Sequence, residues 1–449
     1  VQSSTEDGLV SHSHEPISLD LTAGEPPTPS TTAPEPASSA TLHLEARNVR
    51  WYIASFALIG AAGSASMTLA PIIAVVTLHA TSTQVGLISL INLAVALALQ
   101  IPFAAWADRR PFQLRVMRLS CLVSAAIAAA IPVLYSLGGL SLAALLGTSA
   151  LLTVASTFRG ALGHSVVNSL VGETRRMTVI GRLNGITSAA DTSAQAGSAG
   201  LISLVPAPVA MLASTVASFL APLFLGRIDS HAVKPVAADS APTVTYDLRS
   251  VLRLVVRRPG VWMVTAFALS NAFVEPVFVP FIIRGLKISP SLVGLLLAVG
   301  ALGGVAAGYL TGPIFARYGD GVGLVAAAVV CCLGIAPMIV APAGAIGFVC
   351  VVGYELATAF GGTLLVASTF GRLQQESTPS NVARTMSTVQ VLLQLSGLLG
   401  LLLGVLLTLR FSARLNFTCY LVGAILVALV GLGVARSPKA DLPADPSTT

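Results

Sequence analysis

Three carboxylates stand where carboxylates are costly: Asp191, Glu275 and Glu355 each interrupt a long apolar stretch of the chain. An ionisable group in hydrocarbon is disfavoured and is retained where it handles ions, protons or ligands, so each is a candidate site. The chemistry open to it is reversible protonation or capture of a cation. Asp191 has company on its side of a helix. Asn184, Thr187, Ser188, Gln195 and Ser198 recur around it at steps of three and four, which makes one polar stripe. Such a stripe cannot face lipid, because its groups would lack partners there; it meets a cavity or another helix.

Glu275 sits in "SNAFVEPVFVP", with Asn271 one turn before it. Pro276 follows and frees a carbonyl, which can kink the helix. Glu355, in "GYELATAF", has Tyr354 beside it and Thr358 and Gly362 on its face. A second group is uncharged: Ser89, Asn92 and Gln100 in one stretch, Ser387, Gln390 and Gln394 in another. Residues of that kind either line a substrate cavity or join helices. Gly60 and Gly63, and Gly397, Gly400 and Gly404, are read as places where helices approach closely.

The elements that must position these residues are membrane spans. Hydrophobic residues make up 54% of the chain and charged residues only 10%, against about a quarter charged in a soluble domain. Mean hydropathy is +0.84. Twelve apolar stretches are long enough to cross a bilayer: 51–78, 84–107, 113–137, 139–160, 178–203, 206–226, 259–284, 289–316, 321–341, 343–370, 383–409 and 412–435. The chain reads as an all-α polytopic membrane protein.

Residues 1–47 are rich in Pro, Ser, Thr and acid and read as a disordered tail. They lack the basic start and apolar stretch of a signal peptide. The polar segment 229–257 separates the sixth and seventh spans, and 437–449 forms a second tail. Of 25 Lys and Arg, only Arg284, Lys287, Arg410 and Arg414 fall on the side opposite the termini, with Arg159 closing the fourth span. The positive-inside rule places both termini in the cytoplasm. That bias, rather than nucleic-acid binding, accounts for the pI near 9.3.

Enzyme chemistry finds no footing. The five Cys lie within spans without metal-ligand spacing, and His12 and His14 belong to a solvated tail. No phosphate loop and no Ser-His-Asp arrangement is present, so neither a metal nor a cofactor is expected.

The chain also repeats itself. "VASTFRG" at 154 returns as "VASTFGR" at 366, "WYIASFAL" at 51 as "WMVTAFAL" at 262, and "VGLI" at 85 as "VGLL" at 293. Arg109 of "ADRRP" faces Arg317 of "ARYGD". The offsets, 208 to 212 residues, keep one order along the chain. Each copy holds six spans, and an even number preserves orientation. The halves, 48–228 and 258–436, are therefore parallel repeats joined by a cytoplasmic linker at 229–257.

Residues 48 to 436 resemble the major facilitator superfamily in this six-plus-six arrangement, the long central loop and the basic loop after span two. At the positions of the family signature Gly-x-x-x-Asp-Arg-x-Gly-Arg-Arg/Lys the first copy has Ala104, Asp108, Arg109, Pro111 and Phe112, with Arg115 a little later, keeping the Asp-Arg and losing the glycines. The second copy has Gly312, Ala316, Arg317 and Gly319 and does the reverse. "FRGALGHSVVNSLVGETRRMTVIGRLNG" (158–185) and "VARTMSTVQVLLQLSG" (382–397) are similar to stretches of the drug and siderophore exporters, the branch of the macrolide efflux proteins and the enterobactin exporter.

The resemblance implies alternating access and a cytoplasmic gate at Asp108, Arg109 and Arg317. It also implies cavity lining by spans one, four, seven and ten, which bring Asn271, Glu275, Tyr354 and Glu355 to the substrate. Asp191 is the first choice for coupling to H⁺ or Na⁺. The expected function is proton-driven export of an amphipathic or hydrophobic small molecule by a monomer in the bacterial inner membrane. The alternatives are a proton-coupled importer of a polar nutrient and a non-transporting sensor or assembly partner.

Overall fold

In hydrocarbon a chain must satisfy its backbone internally, and helices do so within one segment. Every regular element among the described residues of the computed structural model, which are 39–107, 113–170, 173–228, 258–376 and 382–436, is helical. In the first half, α1 (Ser39–Val76), α2 (Ser82–Ala107), α3 (Gln113–Ser136), α4 (Leu142–Leu170) and α5 (Glu173–Ile202) are followed by α6 (Ala207–Ala210) and α7 (Leu212–Leu225), which share one span. The second half opens with α8 (Pro259–Ala272), α9 (Glu275–Pro280) and a wide turn at Phe281–Gly285, again one span. It continues with α10 (Pro290–Val340), α11 (Ala345–Glu376), α12 (Val382–Thr408) and α13 (Ala413–Arg436). α10 holds two spans that turn at Gly319, whose φ of 74° is the left-handed conformation glycine tolerates.

Eleven of these segments are long and apolar enough to cross a membrane, and α5 supplies the twelfth span of the fold. α5 is the most polar of the spans in sequence, because of the stripe around Asp191. Several boundaries differ from the sequence reading. Helix begins at Ser39, inside the stretch expected to be a disordered tail to residue 47, because "LHLEARNVR" is rich in helix-forming residues. α4 and α11 run on to Leu170 and Glu376, past the apolar ends expected at 160 and 370.

Span seven is interrupted. Pro276 and Pro280 lack N–H groups, and Phe273 and Val274 bond instead to Ser270 and Asn271, three residues back. Asn416 of α13, fully buried, closes the gap: its Nδ2 donates to Phe273 O at 2.7 Å and to Gly404 O of α12 at 3.1 Å. α12 meets this span backbone to backbone. A Cβ at Gly404 would lie 2.8 Å from Phe273 O, and one at Gly400 would lie 2.9 Å from the Leu269 carbonyl carbon. Gly400 and Gly404 thus allow the close approach expected of them, whereas Gly63 has open space and Gly397 meets only Leu93, at 3.8 Å.

Arg159, which closes the fourth span in the sequence, is only 4% exposed and staples α4 to α3, donating to Ser120 O at 3.3 Å and to Ser124 Oγ. The helix continuing to Leu170 is what carries it into the bundle.

Candidate functional site

Asp191 is seated by a glycine. A Cβ at Gly60 of α1 would lie 2.7 Å from Asp191 Oδ1 and 2.9 Å from Thr187 Cγ2, so the polar stripe of α5 packs onto bare backbone. Ser64, one turn further along α1, hydrogen-bonds the carboxylate. Oδ1 itself is buried and has no hydrogen-bond partner. A sequestered oxygen with a free lone pair is a place for a proton or a cation. Thr187 and Ser198 satisfy themselves on Leu183 O and Gln195 O, which leaves the aspartate as the reactive member of the stripe.

Glu355 repeats the arrangement in the second half. Its Oε2 and Cβ lie over Gly300 of α10, in the volume a side chain at that position would need. Glu275 is held differently. It opens α9 just after the break, with Ser89 of α2, from the other half, as its hydrogen-bond partner. It is surrounded by protein yet keeps a water-accessible surface, as does Asn271 one turn before it, so this edge of span seven lines an internal space.

The three carboxylates share one depth. Asp191 is eleven residues from the end of α5 at Ile202; Glu275 is ten from Gly285 and Glu355 ten from Ala345. At ~1.5 Å per residue that is about 15 Å, half of a hydrocarbon core about 30 Å thick.

Above this level the halves are shut together at the end bearing the α1–α2 loop. Leu69, Ile73, Val85 and Ile88 join Val277, Ile282 and Val293 in one buried cluster. Thr83 and Thr408 hydroxyls meet at 2.9 Å, and Arg284 Nη2 donates to Val75 O at 3.1 Å. Pro276 and Val405 fill the space over Gly86, where a Cβ would come within 2.5 Å of each. Leu90 and Leu93 close the seam against Ala272, Leu401 and Val405.

The remaining expectations divide. Asn92 and Gln394 are half-buried, each with an amide oxygen that lacks a partner. Gln100 and Gln195 are half-buried, and Gln390 is exposed. Tyr354 departs from the reading as cavity lining. It is buried in an aromatic cluster with Phe278, Phe417 and Tyr420, because its neighbour Glu355 takes the face toward α10 and turns the ring into the core of its own half. Arg317 is exposed, and among the described residues its guanidinium lies over the Tyr318 ring, 5.5 Å from the centre. Asp108 and Arg109 lie outside the described residues, as does the side chain of Asn184. Gly60, Gly300 and Asn416 are the functional positions that sequence reasoning passed over or treated as packing. A carboxylate and a glycine on different helices carry no spacing signal that would link them.

A twelve-span bundle built as two parallel six-helix halves, closed at one end over acidic groups at mid-depth, defines a polytopic membrane transporter. Residues 51–375 match the Major Facilitator Superfamily, and the chain belongs to that family. No curated protein matches the chain. Among solved structures, a mutant of the nucleoside transporter NupG has a TM-score of 0.69 at 12% identity, with 87% of this chain and 99% of that chain covered. A bacterial homologue of the iron transporter ferroportin, in an inward-facing state, gives 0.67 at 13%, covering 88% and 99%. A bacterial homologue of the lysosomal transporter Spinster, inward-facing and occupied, gives 0.62 at 16%, covering 90% and 98%. These likenesses are of fold.

Proposed function

We propose that the protein is a secondary active exporter of the bacterial inner membrane, driven by protons through Asp191, with an amphipathic or hydrophobic small molecule as substrate. The observation that carries this reading is the Asp191 carboxylate, packed on Gly60 with one oxygen unpartnered. Such a group changes its packing when it gains or loses charge, and an alternating-access cycle needs a step of that kind. The resemblance of 158–185 and 382–397 to drug and siderophore exporters supports export, as does the position of Trp51 and Trp262 near the starts of their apolar spans, away from mid-depth.

With both termini cytoplasmic, the sealed end faces outward and the conformation is inward-facing. Cysteines placed at Thr83 and Thr408 are then expected to cross-link under oxidant in resting cells. The bond should cut transport to background until reductant restores it. Cross-linking that leaves transport unchanged would remove this seam from the gate.

A second reading, proton-coupled import of a polar nutrient, is favoured by the unpartnered amide oxygens of Asn92 and Gln394. Accumulation of amphipathic dyes and antibiotics in efflux-deficient cells separates the two. Export lowers accumulation in a way an uncoupler abolishes, and import raises it.

A further inference from the structure

α3 and α7 are antiparallel neighbours, and each carries an apolar stripe that ends in an arginine at the terminal end of the bundle. On α3 the stripe is Leu119, Leu122 and Val123, with Arg115 one turn before it. On α7 it is Phe219 and Leu223, with Arg227 one turn beyond. These five apolar residues are between 43% and 62% exposed, so they form an outer face rather than a core.

Between the two stripe ends stands Arg118. Its Nη2 donates to Leu225 O at 2.5 Å, the carbonyl two residues before Arg227. Its Nε is buried and has no partner. Arg115 lies close enough to act on its charge. Arg227 rests on the Trp51 ring, 4.6 Å from its centre, and Trp51 in turn packs on Phe224 at 5.7 Å. Neither Arg118 nor Arg227 has a carboxylate partner among the described residues.

We propose that this face binds one anionic glycerophospholipid, its phosphate held by Arg118 and Arg227 and its acyl chains laid along the stripes of α3 and α7. Arg118 and Arg227, without an acid among the described residues, would be stabilised by an anion, and guanidinium groups match phosphate geometry. The site depends on two features occurring together. On α7 the exposed apolar face continues from Leu223 through Phe219 and Val216 to Leu212, about 16 Å at ~1.5 Å per residue. Apolar surface of acyl-chain length thus leads into the cationic end, and Trp51 marks the depth at which headgroups begin. A free phosphate would use the arginines alone and leave the stripes to bulk bilayer lipid. The proposal is independent of transport direction and of Asp191.

The test uses the full-length protein in detergent, presented with equal amounts of phosphatidylglycerol and phosphatidylcholine of the same chains, and reads bound lipid by native mass spectrometry. The expected result is preferential retention of phosphatidylglycerol, with the preference weakened about tenfold in Arg118→Gln/Arg227→Gln. Arg118→Lys/Arg227→Lys should keep most of it, which separates loss of charge from loss of fold. Phosphatidylglycerol, and not inorganic phosphate at equal concentration, should raise the melting temperature. Unchanged preference in the glutamine variant overturns the proposal. So does a rise with inorganic phosphate that equals the rise with lipid.

Discussion

Asp191→Asn is expected to reduce gradient-driven transport to background while the protein still folds, reaches the membrane and exchanges substrate in both directions. The carboxamide fills the space on Gly60 and can still bond Ser64, so the packing between α1 and α5 is kept. What it loses is the ability to carry a proton or hold a cation on the oxygen that has no partner. Coupling and movement should therefore separate. Uptake or efflux driven by a pH gradient vanishes, whereas counterflow in proteoliposomes with no gradient persists. If gradient-driven transport survives the substitution, Asp191 is a helix-packing residue. The coupling role then passes to Glu275, the carboxylate with open surface.

Gly400→Val is expected to destabilise the protein more than any other single change at the glycines of α12. A Cβ there would press on the Leu269 carbonyl and come within 3.1 Å of Ala272 Cβ. The obstacle is main chain, which cannot rotate away, so α8 and α12 must separate. Overpacking of this kind costs about 1–3 kcal/mol where side chains can yield, and the upper end applies here. The separation would also pull Gly404 O away from Asn416 and reopen the break in span seven. The check is the thermal midpoint and monodispersity of the purified protein, with Gly397→Val as control, since the nearest atom to its Cβ is 3.8 Å away. Equal midpoints for the two variants would mean that the α8–α12 approach is slack.

The architecture was legible because it rests on quantities that repeat along a chain. Apolar length marks spans, basic residues mark sides, and the return of "VASTF" at a fixed offset marks the two halves. The carboxylates were legible for the opposite reason: each breaks a pattern. What could not be read was pairing between helices. Gly60 and Gly63 look alike in sequence, yet only Gly60 lies under Asp191. Tyr354 and Glu355 are adjacent, yet the helical step sends one into an aromatic core and the other onto Gly300. Asn416 drew no notice because its task is set by a main-chain gap on a helix far from it in sequence. Such choices depend on which faces meet, and a single chain's periodicity leaves that open.

The polarity of α5 bears on how the protein is made. A segment is released into the bilayer when its own apolar surface outweighs its polar groups, and an aspartate at mid-helix counts about 2.5–3.5 kcal/mol against release. α5 is the least apolar of the spans, and the surface that shelters Asp191 belongs to α1, which is synthesised before it. α1 is therefore expected to stay near the insertion machinery, its Gly60 face uncovered, until α5 arrives. The residue proposed to couple transport to protons would thereby also set the order in which these helices assemble.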